Sequence, residues 1–395
     1  MKKFVLVAGE SSGDLVGEDL ILALKKHFPD AVFAGIGGPK MIGAGLTSWF
    51  DIQTLSVMGL INVLINLPSL LRLYRQLLKK ITEFSPDFYI GIDAPDFNLR
   101  MEKKLKQRST SEEKLKGLKI IHYISPSVWA WRYDRVFDIQ ACTDLILCVL
   151  PFEEKIYRKI QHQAVFVGHP LANQISIGFS KLDAMNARKS FNLPLEIPLL
   201  AILPGSRVQE VSRLLPVFLD TFAEVKKTLK NAMGILPVAH SGLWKVIRPF
   251  ADRLKSLGIL CVEKQSGQAL AACDFALVAS GTAALESVLY KKPTVVAYKA
   301  DFWMYSIGRA LVNLPYMALP NLLALWEHQI EGLIPEFLQS EATVENLTSA
   351  LLHAWKELST ESDEYQQLIE RFEQIHRELA LNSGELAAQA IRSLC

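Results

Sequence analysis

At 395 residues the chain is longer than one ordinary hydrophobic core organises, so two domains are expected. Half of the residues are apolar and 21% are charged, a globular composition, and the formal charge of +2 excludes a general nucleic-acid binder. The five cysteines (Cys142, Cys148, Cys261, Cys273, Cys395) are scattered with no C-x-x-C pair, which argues against a disulfide framework or a cysteine zinc site.

Met1-Lys2-Lys3 is followed by the apolar run 4–8. That run is too short for a signal-peptide core and reads as a buried first strand. No uninterrupted apolar stretch approaches the roughly 18 residues of a membrane span, so the location reads as cytoplasmic. Short β-rich runs then alternate with longer helical patterns. The first half offers 32–36, 88–92, 120–124, 145–149 and 165–167. After Gly168-His169-Pro170 the pattern loosens through a polar stretch, 176–196, and restarts with 199–203, 234–238, 260–262, 275–279 and 294–297. This is the signature of α/β architecture with parallel sheets. Each half opens with a strand, a glycine turn and a helix. Two Rossmann-like domains, 1–172 and 173–340, explain this better than one large sheet, with ligands expected in a cleft outside the carboxyl ends of the strands. From about Glu341 the strands stop, and 341–395 reads as helices packing back on the body.

The first glycine loop is Gly9-Glu10-Ser11-Ser12-Gly13-Asp14. A turn capped by Ser12 or Asp14 accounts for the letters, and a loop that binds substrate accounts for them equally. A dinucleotide fingerprint needs a different glycine spacing and an acidic end to the second strand, which here ends Gly35-Ile36-Gly37-Gly38. A nicotinamide enzyme is disfavoured. Asp93 and Asp96 lie just past the strand 88–92, with Pro95 holding the loop open. Asp96 can cap the following helix; two carboxylates in a strand-end loop also suit general-base work on a sugar hydroxyl. Ser125-Pro126-Ser127-Val128-Trp129-Ala130-Trp131-Arg132 follows another strand end, as plain packing or as a wall for a sugar or acyl chain.

In the second half, Leu203-Pro204-Gly205-Ser206-Arg207 supplies small residues that let backbone N–H groups approach an anion, with Arg207 as a fixed positive fork. Ser280-Gly281-Thr282 opens a helix whose start can hold a diphosphate, and Glu286 can reach back to a ribose diol or sit in a surface salt bridge. No Walker lysine loop, Asp-x-Asp or histidine cluster is present, so neither a metal nor another cofactor is implied. Between them, Val57, Leu60, Ile61, Leu64 and Leu71 recur at helical spacing, followed by Arg72, Arg75, Lys79 and Lys80. An amphipathic core helix gives that pattern; so does a helix lying on an anionic membrane, with Leu60, Ile61, Leu64, Arg72 and Arg75 docking.

Taken in order, these strings resemble the lipid-A-disaccharide synthase family. The resemblance rests on Ala8 to Asp14, Val57-Met58-Gly59, Gly91 to Asn98, His122 to Arg132, Gly168-His169-Pro170, Leu203 to Arg207, Ala279 to Glu286 and Leu319-Pro320-Asn321. It runs from about residue 4 to the C-terminal helices. It implies a GT-B-like fold and an inverting glycosyl transfer without metal. The partners it implies are an acylated UDP-glucosamine as donor, an acylated glucosamine 1-phosphate as acceptor and the anionic inner-membrane surface, bound peripherally on its cytoplasmic face; a homodimer is left open. Asp93 is placed as the base, with Asp96 or Glu10 as rivals. Ser11, Ser12, Gly13, Asp14, Asn98, Ser125, Trp129, Ser206, Arg207, Ser280, Gly281, Thr282, Glu286 and Asn321 are placed around the substrates. After Asn321 the chain departs from the family's shorter glycine-containing turn, through Leu322 to Glu336. A UDP-sugar 2-epimerase shares the two-domain build but not the Trp129/Trp131 string. A non-catalytic sugar-nucleotide-binding protein would have no use for the carboxylate pair.

Overall fold

A parallel strand covered on both faces must be apolar along its whole length, and that is how most of the strands here are written. The computed structural model describes residues 1–56, 60–130, 133–299 and 314–395; the side chains of Ser11 and of residues 56–68 lie outside that description. The chain forms two units, Met1–Asn173 with Leu379–Cys395, and Gln174–Glu378.

Unit 1 is built on β1 (Lys3–Ala8), β2 (Val32–Ile36), β3 (Leu46–Phe50), β4 (Phe88–Ile92), β5 (Lys119–Tyr123), β6 (Leu145–Cys148) and β7 (Ala164–Phe166). They pair in parallel in the order β3-β2-β1-β4-β5-β6-β7. The order reverses between β1 and β4, whose last paired residues are Ala8 and Ile92. Loops leaving such a switch point diverge and open a crevice at the carboxyl edge of the sheet. On one face, Leu73, Leu77 and Ile81 of the Leu60–Phe84 helix pack with Phe97, Met101 and Leu105 of the Pro95–Ser109 helix against Val5, Val7, Tyr89 and Ile120. The second half of the Leu60–Phe84 helix is therefore a core helix, while Leu71, Arg72, Arg75, Lys79 and Lys80 stay exposed on its outer side. Among the described residues, no helix is long and apolar enough to cross a membrane.

Unit 2 repeats the plan with β8 (Leu199–Leu203), β9 (Met233–Val238), β10 (Ile259–Glu263), β11 (Phe275–Ala279), β12 (Thr294–Tyr298) and β13 (Glu336–Leu338). All pair in parallel in the order β10-β9-β8-β11-β12-β13, reversing between β8 and β11. The Val208–Thr228 and Val344–Thr360 helices close one core over this sheet.

The helices after residue 341 divide between the units. Val344–Thr360 belongs to unit 2, whereas Ser383–Arg392 packs on Ser11–His27 in unit 1. That packing is close: a β-carbon at Gly384 would lie 2.7 Å from the Asp19 carboxyl carbon, and Glu385 meets His27 at 2.7 Å. The chain thus leaves unit 1 after Asn173 and returns to it at Leu379.

Candidate active site

In unit 1 the loops after β1 and β4 leave the switch point side by side. Gly9 packs so tightly on Ala94 that a β-carbon there would come within 2.7 Å of the Ala94 Cβ. Gly13 lets the first helix sit close against Ala8 and Ile92. Beyond β4 the backbone takes two consecutive left-handed residues, Asp93 (φ 54°) and Ala94 (φ 44°), neither of them glycine. Each such residue costs about 1–2 kcal/mol, so the turn persists only because its surroundings hold it. Asp93 N–H donates to the Tyr123 carbonyl (2.9 Å), and Pro95 then starts a helix with its fixed φ. The Asp93 side chain is half-buried and Glu10 is exposed. Asp96 is 81% exposed and stands 3.9 Å from Arg135.

The neighbouring strand end carries Ser125 and Trp129. Ser125 is buried, its hydroxyl 3.0 Å from that of Tyr157. Trp129 is half-buried, edge-on to Phe152, and donates its indole N–H to Glu153 Oε1 (3.2 Å). Trp131 and Arg132 lie outside the described residues.

Two expected substrate contacts in unit 1 are instead internal. Asp14 is 4% exposed and accepts from the N–H groups of Gly38, Lys40 and Met41, capping the Pro39–Gly43 helix. Asn98 is 0% exposed, and its amide is engaged with Tyr89 and with three backbone carbonyls. Both are closed off because their polar atoms bind the protein's own groups. Ser12 remains exposed.

In unit 2 the loops after β8 and β11 flank the second switch point. Ser280 follows β11 directly, and Gly281 (φ 155°) precedes the Thr282–Leu289 helix. A β-carbon at Gly281 would meet nothing within 4 Å, and Thr282 is exposed, so the helix start faces open space. Unpaired N–H groups there attract anions. One turn in, Glu286 is mostly buried; burial pushes its carboxyl up to about 7 against a hydrogen bond from Ser266 that pulls it down. Ser206 and Arg207 are exposed at the start of the Val208–Thr228 helix. Their N–H groups, however, already donate to Glu210 Oε2 (3.2 Å each), and the Arg207 guanidinium donates to Glu210 Oε1 at 2.9 Å. An anion at this loop must share Arg207 with Glu210. Asn321, also expected at the ligand, is fully buried; it clips Ile334 and Glu336 (2.9–3.1 Å) and so fastens the atypical segment 322–336 to its own helix.

Two buried acids escaped the sequence reading. Glu153 is 2% exposed and accepts N–H bonds from Val149, Leu150 and Trp129; burial still lifts it to about 8. Its signal was Pro151 at the helix start with an acid two residues on. Glu102 and His122, both 0% exposed, meet at 2.7 Å. Glu102 was legible as a polar residue on the core stripe of Phe97, Met101 and Leu105.

The arrangement offers a carboxylate at one switch point and an anion-receptive helix start with a buried acid at the other. Residues 4–391 match a family model described as lipid-A-disaccharide synthetase. Lipid-A-disaccharide synthase of Pseudoalteromonas translucida (strain TAC 125) is 45% identical, the match covering 98% of this chain and 96% of that protein. The enzyme of the same name from Pseudomonas aeruginosa (strain LESB58) is 42% identical over 99% and 98%. Among solved structures, UDP-GlcNAc 2-epimerase from Neisseria meningitidis, bound to UDP-GlcNAc, superposes with a TM-score of 0.60 over 100% of both chains at 12% identity. At that identity it shows the shared fold alone.

Proposed function

Because the chain belongs to the lipid-A-disaccharide synthetase family, we propose that unit 1 supplies the base and unit 2 the leaving-group contacts of that reaction. The chain is a UDP-sugar hexosyltransferase. It condenses UDP-2,3-diacylglucosamine with 2,3-diacylglucosamine 1-phosphate, giving the β-1,6-linked disaccharide 1-phosphate and UDP. Asp93 takes the proton of the acceptor's 6-hydroxyl as that oxygen attacks the anomeric carbon, and UDP leaves with the bonding electron pair. The observation that carries Asp93 over Asp96 and Glu10 is its left-handed backbone at the switch point, at a half-buried residue. Strain of this kind is kept where geometry matters, and Asp96 projects into solvent.

In unit 2 the start of the Thr282–Leu289 helix and Arg207 receive the charge that develops on the diphosphate, contacts typically worth roughly 2.7–4 kcal/mol each at the transition state. Glu286 accepts from the ribose hydroxyls. Trp129 and Ser12 line the sugar side. Acyl chains gain roughly 0.8 kcal/mol per buried methylene, so substrates of this kind remain in the bilayer and the enzyme comes to them. The helix Leu60–Phe84, with Leu60, Ile61 and Leu64 ahead of the exposed Arg72 and Arg75, is the docking element, peripheral on the cytoplasmic face of the inner membrane.

The test is UDP release from purified protein given both acylated sugars. Release that requires the acceptor, is abolished in Asp93→Asn and leaves UDP affinity intact supports the reading. Turnover retained in Asp93→Asn removes Asp93 as the base.

A further inference from the structure

Asn98 lies directly beneath the Asp93 turn, and its geometry is unusual for a residue with no access to solvent. Its Nδ2 sits 2.8 Å from the carbonyl of Asp93, 3.4 Å from that of Ile92 and 3.2 Å from that of Val7. Three acceptors around one atom leave only the amide nitrogen as the group that can face them. On the other side, the Tyr89 hydroxyl donates to Oδ1 at 3.0 Å. That bond fixes which way the amide points. Tyr89 is itself fully buried, and burial keeps its phenol protonated, hence a donor at any working pH. The neighbouring Gly91 is part of the fit: a β-carbon there would lie 2.9 Å from the Asn98 Cβ.

These contacts tie β1 to β4 across the switch point and end on the carbonyl of the residue whose backbone is left-handed. Ala94 has nothing of its own that favours that conformation, and an aspartate visits it only occasionally. We propose that Asn98, oriented by Tyr89, is the positioning residue that holds the Asp93 turn and so aims the Asp93 carboxylate. The proposal rests on the reading of Asp93 as the base. Asn98 touches no substrate; it acts through Asp93.

Asn98→Asp is the discriminating variant, since it keeps the shape and replaces a donor by an acceptor facing three carbonyls. Misplacing a reacting group by about 1 Å costs about 100-fold, so kcat falls by that order while KM and UDP affinity stay within about twofold. Tyr89→Phe removes one hydroxyl and little else, and lowers kcat about tenfold, in proportion to one hydrogen bond; it serves also if Asn98→Asp does not fold. Leu105→Ala, in the core of the same helix, controls for stability: it lowers the melting temperature with kcat unchanged. Wild-type kcat in both Asn98→Asp and Tyr89→Phe overturns the proposal while leaving Asp93 as base. A kcat loss in Leu105→Ala equal to that in Asn98→Asp overturns it too, because the effect is then one of stability. Full turnover in Asp93→Asn overturns the base assignment, and the proposal falls with it.

Discussion

Replacing His122 by leucine leaves the Glu102 carboxyl buried between the Pro95–Ser109 helix and the sheet without its partner. Both side chains are 0% exposed and meet through Glu102 Oε1 and His122 Nδ1 at 2.7 Å, while Glu102 Oε2 and His122 Nε2 are buried with no hydrogen-bond partner. Breaking one side of such a pair typically costs about 3–5 kcal/mol. Burial already raises the Glu102 pKa and His122 pulls it back. Without the imidazole, the carboxyl can take up a proton rather than remain a bare charge, which places the expected loss near the lower end, about 3 kcal/mol. With a urea m-value of about 2 kcal/mol/M, the midpoint followed by circular dichroism falls by about 1.5 M. The pair Glu102→Leu/His122→Leu removes both polar groups at once, and such replacements are often neutral or stabilising. The double variant is therefore expected to regain at least about 2 kcal/mol over His122→Leu. A His122→Leu loss below about 1 kcal/mol, or a double variant equal to the sum of the singles, refutes the reasoning.

Three further outcomes follow from the same geometry. If Glu286 must be ionised to accept ribose hydroxyls, its value of about 7 makes UDP bind about tenfold more weakly at pH 6 than at pH 8. Affinity rises with pH because the bound form is the deprotonated one; Glu286→Gln should flatten the calorimetric pH profile, and a flat wild-type profile would count against the role. Arg72→Ala/Arg75→Ala should lower partition onto phosphatidylglycerol vesicles about 30-fold at low salt, roughly 1 kcal/mol per cation; unchanged co-sedimentation would remove this face from docking. Ala94→Gly relieves a left-handed alanine worth about 1–2 kcal/mol at a glycine entropy cost of about 0.5–1. It should raise the melting temperature slightly and lower kcat as the turn loosens; a destabilised variant with full kcat would contradict the strain argument.

Most strands could be read from the letters because burial on both faces leaves no polar alternation to confuse them, as in β1, β4, β8 and β11. Two of the four edge strands could not. β3 (Leu-Thr-Ser-Trp-Phe) is mostly part-exposed and β13 is three part-exposed residues, so neither makes an apolar run. The return of Ser383–Arg392 to unit 1 was equally silent, since it depends on Gly384, Ala387 and Ala388 meeting a helix more than 350 residues earlier in the chain. At the candidate site, the motif strings fall on the loops at the two switch points, but the letters do not say which of their polar side chains are spent inside the fold. Asp14, Asn98 and Asn321 look like ligand contacts in sequence because they are polar and lie in or beside strand-end loops. Their atoms are engaged by backbone groups that only the folded chain brings near.

That misreading follows from how a strand end is made into a site. The proposed base projects from a turn that the backbone would not adopt unaided, so other polar groups have to close the hydrogen bonds the turn leaves open. Unit 1 does this at two adjacent strand ends. β4 runs into Asp93 and Ala94, and β5 into Ile124, whose φ of 73° is rare for a β-branched residue. Asp93 N–H is tied to Tyr123 O, and Ile124 N–H to Leu147 O. Each turn is thus pinned by the next strand along, in the direction in which the sheet is built outward from the switch point. On the proposed reading, polar residues next to such turns divide into those that meet the ligand and those that hold the turn. Burial separates the two kinds: Asp93 is half-buried, and Asn98 keeps none of its amide in reach of solvent.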